Sequence, residues 1–300
     1  MAVPLPEVER LSASVVRILA GNPGKVIPGT NTYLIGRGPQ RLLIDTGEGR
    51  PSWQAAIRSV LTAENATIQQ ALITHWHTDH TYGIPDLLKI CPGVKIYKND
   101  PDDGQLEIRD GQVFKTEGAT LTALHTPGHT TDHVAFLFEE ENAMFTGDNV
   151  LGHGTAVFEE LSTYLRSLEK MHKLSQGRAY PGHGAVIEDC KSKVTEYIQH
   201  RRQREDEVLR VLRLGTLDGA ASPPAAAAAR GKEVSPDRTS GLWTPIELVK
   251  AIYRAVPEEL HLPASNGVIQ VLMKLEQEGK VTHELQSGRW GIARSERPAL

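Results

Sequence analysis

The sequence predicts an α/β protein followed by a smaller α+β domain. In the N-terminal part of the chain, short apolar runs typical of β-strands alternate with longer segments in which apolar residues have helical spacing. After a stretch rich in alanine, proline and glycine, the pattern changes to two helices and a small hairpin, which is a winged-helix-like order. We therefore predict an α/β domain over 1–213, a flexible linker over 214–242 and a winged-helix-like domain over 243–300.

The first elements of the α/β domain are short strands. Each is a run rich in valine, isoleucine or leucine, and the polar turn Asp45-Thr46-Gly47 ends the third run. A helix follows, because apolar residues then recur every three to four positions. In chain order, the sequence predicts strands over 15–19, 32–35 and 41–44, a helix over 53–61, a strand over 71–73, a helix over 85–90 and a strand over 94–97.

The later elements are predicted by the same patterns. Residues 119–124 alternate as a half-buried strand does, and polar residues 139–142 separate two apolar runs, which predicts a hairpin of 134–138 with 143–145. The remaining predicted elements are helices over 158–173 and 192–212, a strand over 178–181, C-terminal helices over 244–254 and 265–278, and a hairpin over 280–292.

The composition is that of an ordinary globular protein and limits the partners. Of 300 residues, 39% are hydrophobic and 23% are charged. A net charge of -4 and a pI near 6.3 give no overall attraction to nucleic acid or to anionic lipid. No apolar run approaches the ~20 residues of a membrane span. With only two cysteines, Cys91 and Cys190, and no apolar secretion segment near the start, we expect free thiols and a cytoplasmic location.

The motif His75-Trp76-His77-Thr78-Asp79-His80 concentrates four candidate metal ligands directly after the apolar run 71–73. Divalent ions of hard or borderline character choose imidazole nitrogen and carboxylate oxygen as donors. His75 and His77 can point to one ion while Asp79 and His80 point to a second. We expect this segment to be a loop, because a regular helix or strand could not spread four consecutive donors in this way.

Three further candidate ligands each follow a predicted strand and stand beside glycine. His129 is predicted to complete the first set and His183 the second, with Asp148 as the carboxylate that bridges two ions. Loops beyond strand ends converge while the strands stay rigid. The spacing therefore predicts one site assembled from several loops.

Four other side chains near these motifs have less specific signals. Asp45 either orients a ligand imidazole through the other ring nitrogen or caps the turn before Gly47. For His125, His133 and His153 we expect packing, hydrogen bonding or substrate contacts rather than metal binding.

The chain resembles the metallo-β-lactamase superfamily in four segments. These are, in chain order, His75-Trp76-His77-Thr78-Asp79-His80, Pro127-Gly128-His129, Gly147-Asp148 and Pro181-Gly182-His183-Gly184. The resemblance covers roughly residues 10–205 and implies an αββα sandwich with a dinuclear metal site at one edge of the two sheets. Asp148 stands where class B1 lactamases carry cysteine, which points to the hydrolase branch that includes glyoxalase II.

A narrower resemblance is to the β-lactamase-like protein 2 group, which contains an animal mitochondrial endoribonuclease and fungal thioesterases that release aromatic polyketides from acyl carrier protein. The segments that carry it are Asn22-Pro23-Gly24, 29–34, 43–48 and 145–155. Residues 48–53 and 144–158 are similar above all to the thioesterases of the atrochrysone carboxyl type. Tyr82 stands where the family usually has glycine.

The resemblance implies a thioesterase with two divalent ions, Zn2+ or Mn2+, that hydrolyses a small acyl group from the acyl carrier protein domain of a non-reducing polyketide synthase. Asp79 is the expected proton shuttle. The alternative is a metal-dependent endoribonuclease of single-stranded RNA. RNA is disfavoured, because Lys274 is the only basic residue in the predicted helix over 265–278. Glyoxalase II activity would require a basic glutathione-binding segment, which we do not find in the tail.

Overall fold

The chain forms two compact units, Met1–Ile198 and Gln199–Leu300. The computed structural model describes residues 5–21, 29–217, 241–254, 257 and 261–293. The first unit contains two mixed β-sheets with helices, and the second contains helices and a two-stranded hairpin.

The first sheet has seven strands that lie in the order of the chain. They are β1 (Val8–Arg10), β2 (Val15–Leu19), β3 (Asn31–Ile35), β4 (Gln40–Ile44), β5 (Thr67–Leu72), β6 (Lys95–Lys98) and β7 (Leu106–Glu107). Strands β1 to β4 pair antiparallel, whereas β4 to β7 pair parallel. Parallel neighbours need a crossover. Helix α1 (Pro51–Ala63) connects β4 to β5, and helices α2 (Thr78–Thr81) and α3 (Ile84–Ile90) lie between β5 and β6.

The second sheet has five strands in the order β12-β11-β10-β9-β8. Its strands are β8 (Val113–Thr116), β9 (Ala119–His125), β10 (Val134–Phe138), β11 (Ala143–Gly147) and β12 (Ala179–Pro181). Strands β8 to β11 are antiparallel neighbours, and a short 3-10 turn over Glu139–Glu141 closes the predicted hairpin of β10 with β11. Strand β12 is parallel to β11, and helix α4 (Leu161–Leu174) supplies the crossover.

The two sheets face each other across a shared core. Tyr33 and Ile35 of β3 belong to this core together with Phe136 and Phe145 of the second sheet. Leu34, between them in sequence, belongs to a second core with residues of α1 and α3, because side chains alternate between the two faces of a strand. Strand β3 is therefore buried on both faces.

Helix α4 lies beside the second sheet. Ser167 Oγ donates to the carbonyl oxygen of Pro127 at 2.6 Å, and Lys170 Nζ donates to that of His125 at 3.1 Å. The first unit therefore consists of four layers, with helices outside the first sheet, the two sheets in the middle and helix α4 outside the second sheet. The prediction of an αββα sandwich is confirmed.

Element boundaries differ from prediction where side chains decide them. Helix α4 begins at Leu161, and the predicted start at 158 is wrong, because the Glu160 carboxylate accepts from the backbone N–H groups of Ser162 and Thr163 and caps the helix. Strand β5 begins at Thr67 rather than at 71. Strands β1, β7 and β8 are absent from the prediction, since runs of only two to four residues are too short to show a clear apolar period.

The second unit has the predicted order of two helices and a hairpin, now α6 (Pro245–Ile252), α7 (His261–Gln277), β13 (Val281–Glu284) and β14 (Arg289–Ile292). Thr244 and Glu247 form a capping box at the start of α6. Trp243 pairs through its backbone with Trp290, whose ring stacks on that of His283 at 4.1 Å. The boundary between the two units, after Ile198, lies within helix α5 (Cys190–Leu214).

Several other predictions bear on the chain as a whole. Cys91 and Cys190 are both free, as predicted, and both side chains are buried. Among the described residues, no helix is long and apolar enough to cross a bilayer. Residues 218–240, most of the predicted linker, and 22–28 lie outside the described residues, and the predicted domain limits stay predictions.

Candidate metal centre

The candidate ligands lie beyond the C-terminal ends of strands in both sheets. Strands β4 and β5 are parallel, so Asp45 and the segment that contains His75 leave the first sheet at the same edge. Strands β9 and β11 are both antiparallel to β10, and β12 is parallel to β11. The loops after β9, β11 and β12, which carry His129, Asp148 and His183, therefore leave the second sheet at one edge.

The segment after β5 is only partly a loop. His75 lies in irregular backbone, and His77 is the N-cap of the one-turn helix α2. Asp79 and His80 lie within α2, so the prediction that all four donors are in a loop is wrong for these two. Successive helical residues point about 100° apart. This change of backbone separates the directions of the last two donors from those of the first two.

Three imidazole nitrogens converge in the first group of donors. Nδ1 of His77 lies 2.9 Å from Nε2 of His75 and 3.0 Å from Nε2 of His129. Nδ1 of His129 lies 2.7 Å from the carbonyl oxygen of Val157 and donates to it, because a carbonyl oxygen can only accept. The ring proton of neutral His129 is therefore on Nδ1, and its Nε2 presents a lone pair to the group.

The second group forms around one carboxylate oxygen of Asp79. This oxygen, Oδ2, lies 3.3 Å from Nε2 of His183 and 3.4 Å from Nε2 of His80. His80 is fully buried and His183 nearly so, whereas the side chain of Asp79 is 21% exposed. Asp79 is thus the member of this group that solvent reaches.

Asp148 lies between the two groups. Its Oδ2 is 3.1 Å from Nε2 of His183 and 3.7 Å from Nε2 of His129, and its Oδ1 is 3.6 Å from Nε2 of His80. One carboxylate thus faces a histidine of the first group and both histidines of the second. This is the position predicted for a bridging ligand.

Two glycines make room for Asp148. A Cβ at Gly182 would collide with Oδ1 of Asp148, so the absence of a side chain there allows the β12 loop to approach the carboxylate. Gly147 has φ +50°, and a Cβ at this residue would lie 2.5 Å from Nε2 of His133. The glycines next to the predicted ligands are therefore part of the geometry of the site.

Asp45 is buried behind the second group and holds His80. Its Oδ2 accepts from Nδ1 of His80 at 2.8 Å, and its Oδ1 accepts from the backbone N–H of Thr74 at 2.8 Å. Its backbone is left-handed, with φ 58°, a conformation that aspartate tolerates better than most residues. Of the two roles open from the sequence, the contact with the ligand imidazole is the one that this geometry favours.

The donor set fits a divalent metal ion. All seven predicted ligands fall into three overlapping groups whose donor atoms lie within 4.8 Å of one another: His75, His77 and His129; His75, His80 and Asp148; Asp79, His80 and His183. Tetrahedral Zn2+ with ligands at about 2.0–2.1 Å holds donors about 3.3 Å apart. Among the described residues, Nε2 of His80 and Oδ1 of Asp148 are buried without a hydrogen-bond partner, which an ion would explain.

Without an ion, protons on the neighbouring imidazole rings balance the negative charge of the carboxylates. Burial opposes a charged imidazolium, but Asp45 and Asp148 raise the pKa of His80 well above its usual value. Burial likewise opposes the charged form of His183, yet Asp148 and Asp79 raise its pKa to about 9. Burial would raise the pKa values of Asp79 and Asp148, but contacts with His183 and His80 lower both. An ion must displace these protons to reach the imidazole nitrogens.

Metal binding is expected to strengthen as pH rises from 6.5 towards 9. The raised pKa of His183 stabilises the metal-free fold fully below about pH 6.5, and this contribution is lost as pH rises through about 9. Metal binding has the opposite dependence, because it releases the same proton. Calorimetry in buffers of different ionisation enthalpy at pH 7 should detect at least one released proton per chain. Binding without proton release would contradict this prediction.

His133 supports the Asp148 loop. Its Nε2 accepts from the backbone N–H of Asp148 at 3.1 Å, and its Nδ1 lies 2.9 Å from Oγ1 of Thr126 and 3.1 Å from Nδ2 of Asn149. Burial lowers the pKa of His133 well below its usual value, so the ring is neutral and can accept. The predicted hydrogen-bonding role is confirmed for His133, whereas the sequence contains no signal for Asn149.

Comparison with known proteins identifies both parts of the chain. Residues 28–101 and 96–183 match the Metallo-beta-lactamase superfamily, and residues 244–290 match the Beta-lactamase associated winged helix domain. The chain belongs to the metallo-β-lactamase superfamily. The predictions of this family, of a hydrolase and of a C-terminal winged helix are therefore confirmed.

Two fungal proteins are similar to this chain over almost its whole length. The "Atrochrysone carboxyl ACP thioesterase" of Aspergillus chevalieri is 47% identical over 295 residues, which cover 96% of this chain and 90% of that protein. The "Lactamase-like protein nscB" of Aspergillus fumigatus is 48% identical over 286 residues, 93% of this chain and 83% of that protein.

Solved structures of bacterial members share the fold. A metallo-beta-lactamase family protein from Thermus thermophilus has a TM-score of 0.69 at 21% identity and covers 94% of this chain and 100% of its own. A beta-lactamase domain protein from Burkholderia ambifaria has a TM-score of 0.74 at 14% identity, covering 95% of this chain and 93% of its own. At these identities the likeness concerns the fold alone.

Proposed function

We propose that this chain is a metal-dependent thioesterase that hydrolyses an aromatic polyketide acyl group from the acyl carrier protein of a non-reducing polyketide synthase. The observation that carries the proposal is the 47% identity, over 96% of this chain, to a protein named as an acyl-carrier-protein thioesterase. The partner is therefore a carrier-protein domain, and the substrate is a small acyl thioester. We keep the cytoplasm as the proposed location.

The donor groups supply the chemistry that this reaction requires. We assign one divalent ion to His75, His77 and His129, a second to Asp79, His80 and His183, and Asp148 to both. Two such ions, Zn2+ or Mn2+, would lower the pKa of a bound water and polarise the carbonyl group under attack. The His/Asp donor set accepts either metal, and a metal titration decides between them.

Side chains and backbone groups of the chain accept the proton and orient the ligand rings. Asp79 is partly exposed and its pKa is lowered by His183 and His80 against the effect of burial, so its carboxylate is ionised and can accept a proton from water. Asp45 and the Val157 carbonyl hold the rings of His80 and His129 in the orientation of ligands. A thiolate leaving group needs little protonation, so the reaction does not require a dedicated general acid.

Apolar side chains next to the donors favour an acyl group as substrate. Trp76 is 48% exposed and its ring meets that of His77 edge to face at 4.5 Å. Val157, whose carbonyl holds His129, is 71% exposed. The segments that contain these side chains, 74–83 and 149–160, have no lysine or arginine. An aromatic acyl chain would pack against these exposed apolar side chains, whereas RNA phosphates would meet no lysine or arginine from either segment.

A parallel assay separates the thioesterase from the endoribonuclease. The full chain, loaded with Zn2+ or with Mn2+, is given an aromatic acyl thioester on carrier protein and, separately, a single-stranded RNA. We expect thioester hydrolysis that a chelator abolishes and that returns when metal is added. RNA cleavage without thioester hydrolysis would overturn the proposal in favour of the alternative.

A double variant tests whether the donors act in catalysis or only in the fold. Asp79→Ala with His80→Ala removes two donors of the second group and is expected to abolish hydrolysis. If product release is unchanged in this variant, the chain is a scaffold that binds the synthase and the enzymatic proposal fails.

A further inference from the structure

The first residues of β3 and the residue before it carry polar side chains that are completely buried. Thr30 and Asn31 have no exposed surface, and Tyr33 is 1% exposed. A buried polar side chain must have partners, or it destabilises the fold. The partners of these three side chains lie in the segments that carry the second group of donors.

Thr30 contacts the proposed proton shuttle directly. Its Oγ1 donates to Oδ2 of Asp79 at 2.9 Å, because an ionised carboxylate can only accept. This is the same carboxylate oxygen that lies 3.3 Å from Nε2 of His183. The backbone of Thr30 also forms an antiparallel bridge with His183. A single residue thus contacts two donors that are far apart in sequence.

Asn31 holds the backbone of the loop that carries His183. Its Nδ2 donates to the carbonyl oxygens of Pro181 at 2.8 Å and of Gly184 at 2.9 Å, one on each side of the histidine. Its backbone N–H donates to the carbonyl oxygen of Gly182 at 2.7 Å. Tyr33 adds a third donor, because its hydroxyl also reaches the carbonyl oxygen of Pro181, at 2.7 Å. The position of the loop is therefore defined from strand β3.

We infer that Thr30 and Asn31 are positioning residues for the second metal ion, and that Thr30 fixes the carboxylate orientation of Asp79. The inference rests on the proposed two-ion site. The first group of donors has different supports, the carbonyl of Val157 at His129 and Thr74 at Nδ1 of His75. Loss of the Thr30 hydroxyl should therefore weaken the binding of the second ion and leave the binding of the first unchanged.

The test measures metal content and not activity. Thr30→Val keeps the size and β-branching of the side chain but removes the donor. The full-length chain is dialysed against a series of free Zn2+ concentrations, and bound metal is measured by mass spectrometry. We expect the first ion to bind as in the wild type and the second to bind about 10–100-fold more weakly. Thr30→Ser, which keeps the hydroxyl, should bind the second ion with close to wild-type affinity.

A matched control lies two residues along the chain. Thr32 is also buried, but its Oγ1 donates to the carbonyl oxygen of Ile18 at 2.8 Å and accepts from Nε1 of Trp53 at 2.9 Å, away from the donors. Thr32→Val should lower thermal stability and still bind two ions.

Three outcomes of the metal titration would overturn the inference. Wild-type affinity for both ions in Thr30→Val would do so, and so would equal weakening of both ions, which indicates a general effect on the fold. A wild-type chain that never binds a second ion would overturn the proposed site itself.

Discussion

Asp148→Asn is expected to lower kcat/KM for a carrier-protein thioester by at least about a thousandfold, because it removes the carboxylate charge that joins the two donor groups. Asn has the size of Asp, so the close approach of Gly182 is preserved and packing is not the cause. Oδ2 of Asp148 lies 3.1 Å from His183 and 3.7 Å from His129, and a neutral amide is a weaker ligand for both ions. Ions bound per chain should fall in parallel with the rate.

An exposed carboxylate provides the control for this variant. Asp103 lies on the surface in the turn between β6 and β7, and Asp103→Asn makes the same chemical change. It should leave the rate and the metal content as in the wild type. Wild-type metal content and kcat/KM in Asp148→Asn would remove Asp148 from the proposed site.

Asp45→Ala is expected to destabilise the metal-free fold by about 3–5 kcal/mol, the typical cost of removing one partner from a buried ion pair. The carboxylate accepts from the backbone N–H of Thr74, from its hydroxyl at 2.9 Å and from Nδ1 of His80. Without it the backbone N–H of Thr74 and Nδ1 of His80 are buried unpaired, and Ala must adopt φ 58°, which costs about 1 kcal/mol more. Urea denaturation, followed by circular dichroism, measures the change.

Asp45→Asn separates charge from shape at the same residue. Asn tolerates the left-handed backbone and keeps one oxygen for Thr74, so most of the stability should remain. Metal affinity should still fall about 10–100-fold, because a neutral amide orients the His80 imidazole less well. If Asp45 only caps the turn before Gly47, Asp45→Ala should cost no more than about 1 kcal/mol and leave metal affinity unchanged. That result would contradict the role assigned to Asp45.

Predictions from local patterns succeeded where burial is continuous. Strands over 15–19 and 134–138 have the bounds that their apolar runs predict, since both faces of these strands are covered. Predictions failed where a side chain or a short pairing decides the structure. Glu160 moves the start of α4 by capping it, and the edge strand β1 pairs with β2 through too few residues to leave a period in the sequence.

The helix α2 illustrates a limit of reasoning from spacing. The sequence predicts two pairs of donors in the motif 75–80, but the expectation of a loop ignored that one helical turn also separates neighbouring side chains. The backbone N–H of His80 donates to the carbonyl oxygen of His77 at 3.0 Å. The carbonyl oxygen of His80 accepts from the hydroxyl of Thr46 at 2.9 Å. The loop after β4 thus fixes this turn, and that contact is not local in sequence.

The sequence by itself determined which residues are the candidate donors and that each follows a strand, because a polar residue that ends an apolar run is a local signal. It also determined the superfamily, since the four motifs occur in a fixed order. Only the tertiary structure decided the distances between the donors, the additional grouping of His75 with His80 and Asp148, and the contacts of Thr30 and Asn31 with the segments of the second group. The physical reason is that strand pairing and the packing of two sheets bring these residues together, and neither leaves a periodic pattern in the residues themselves.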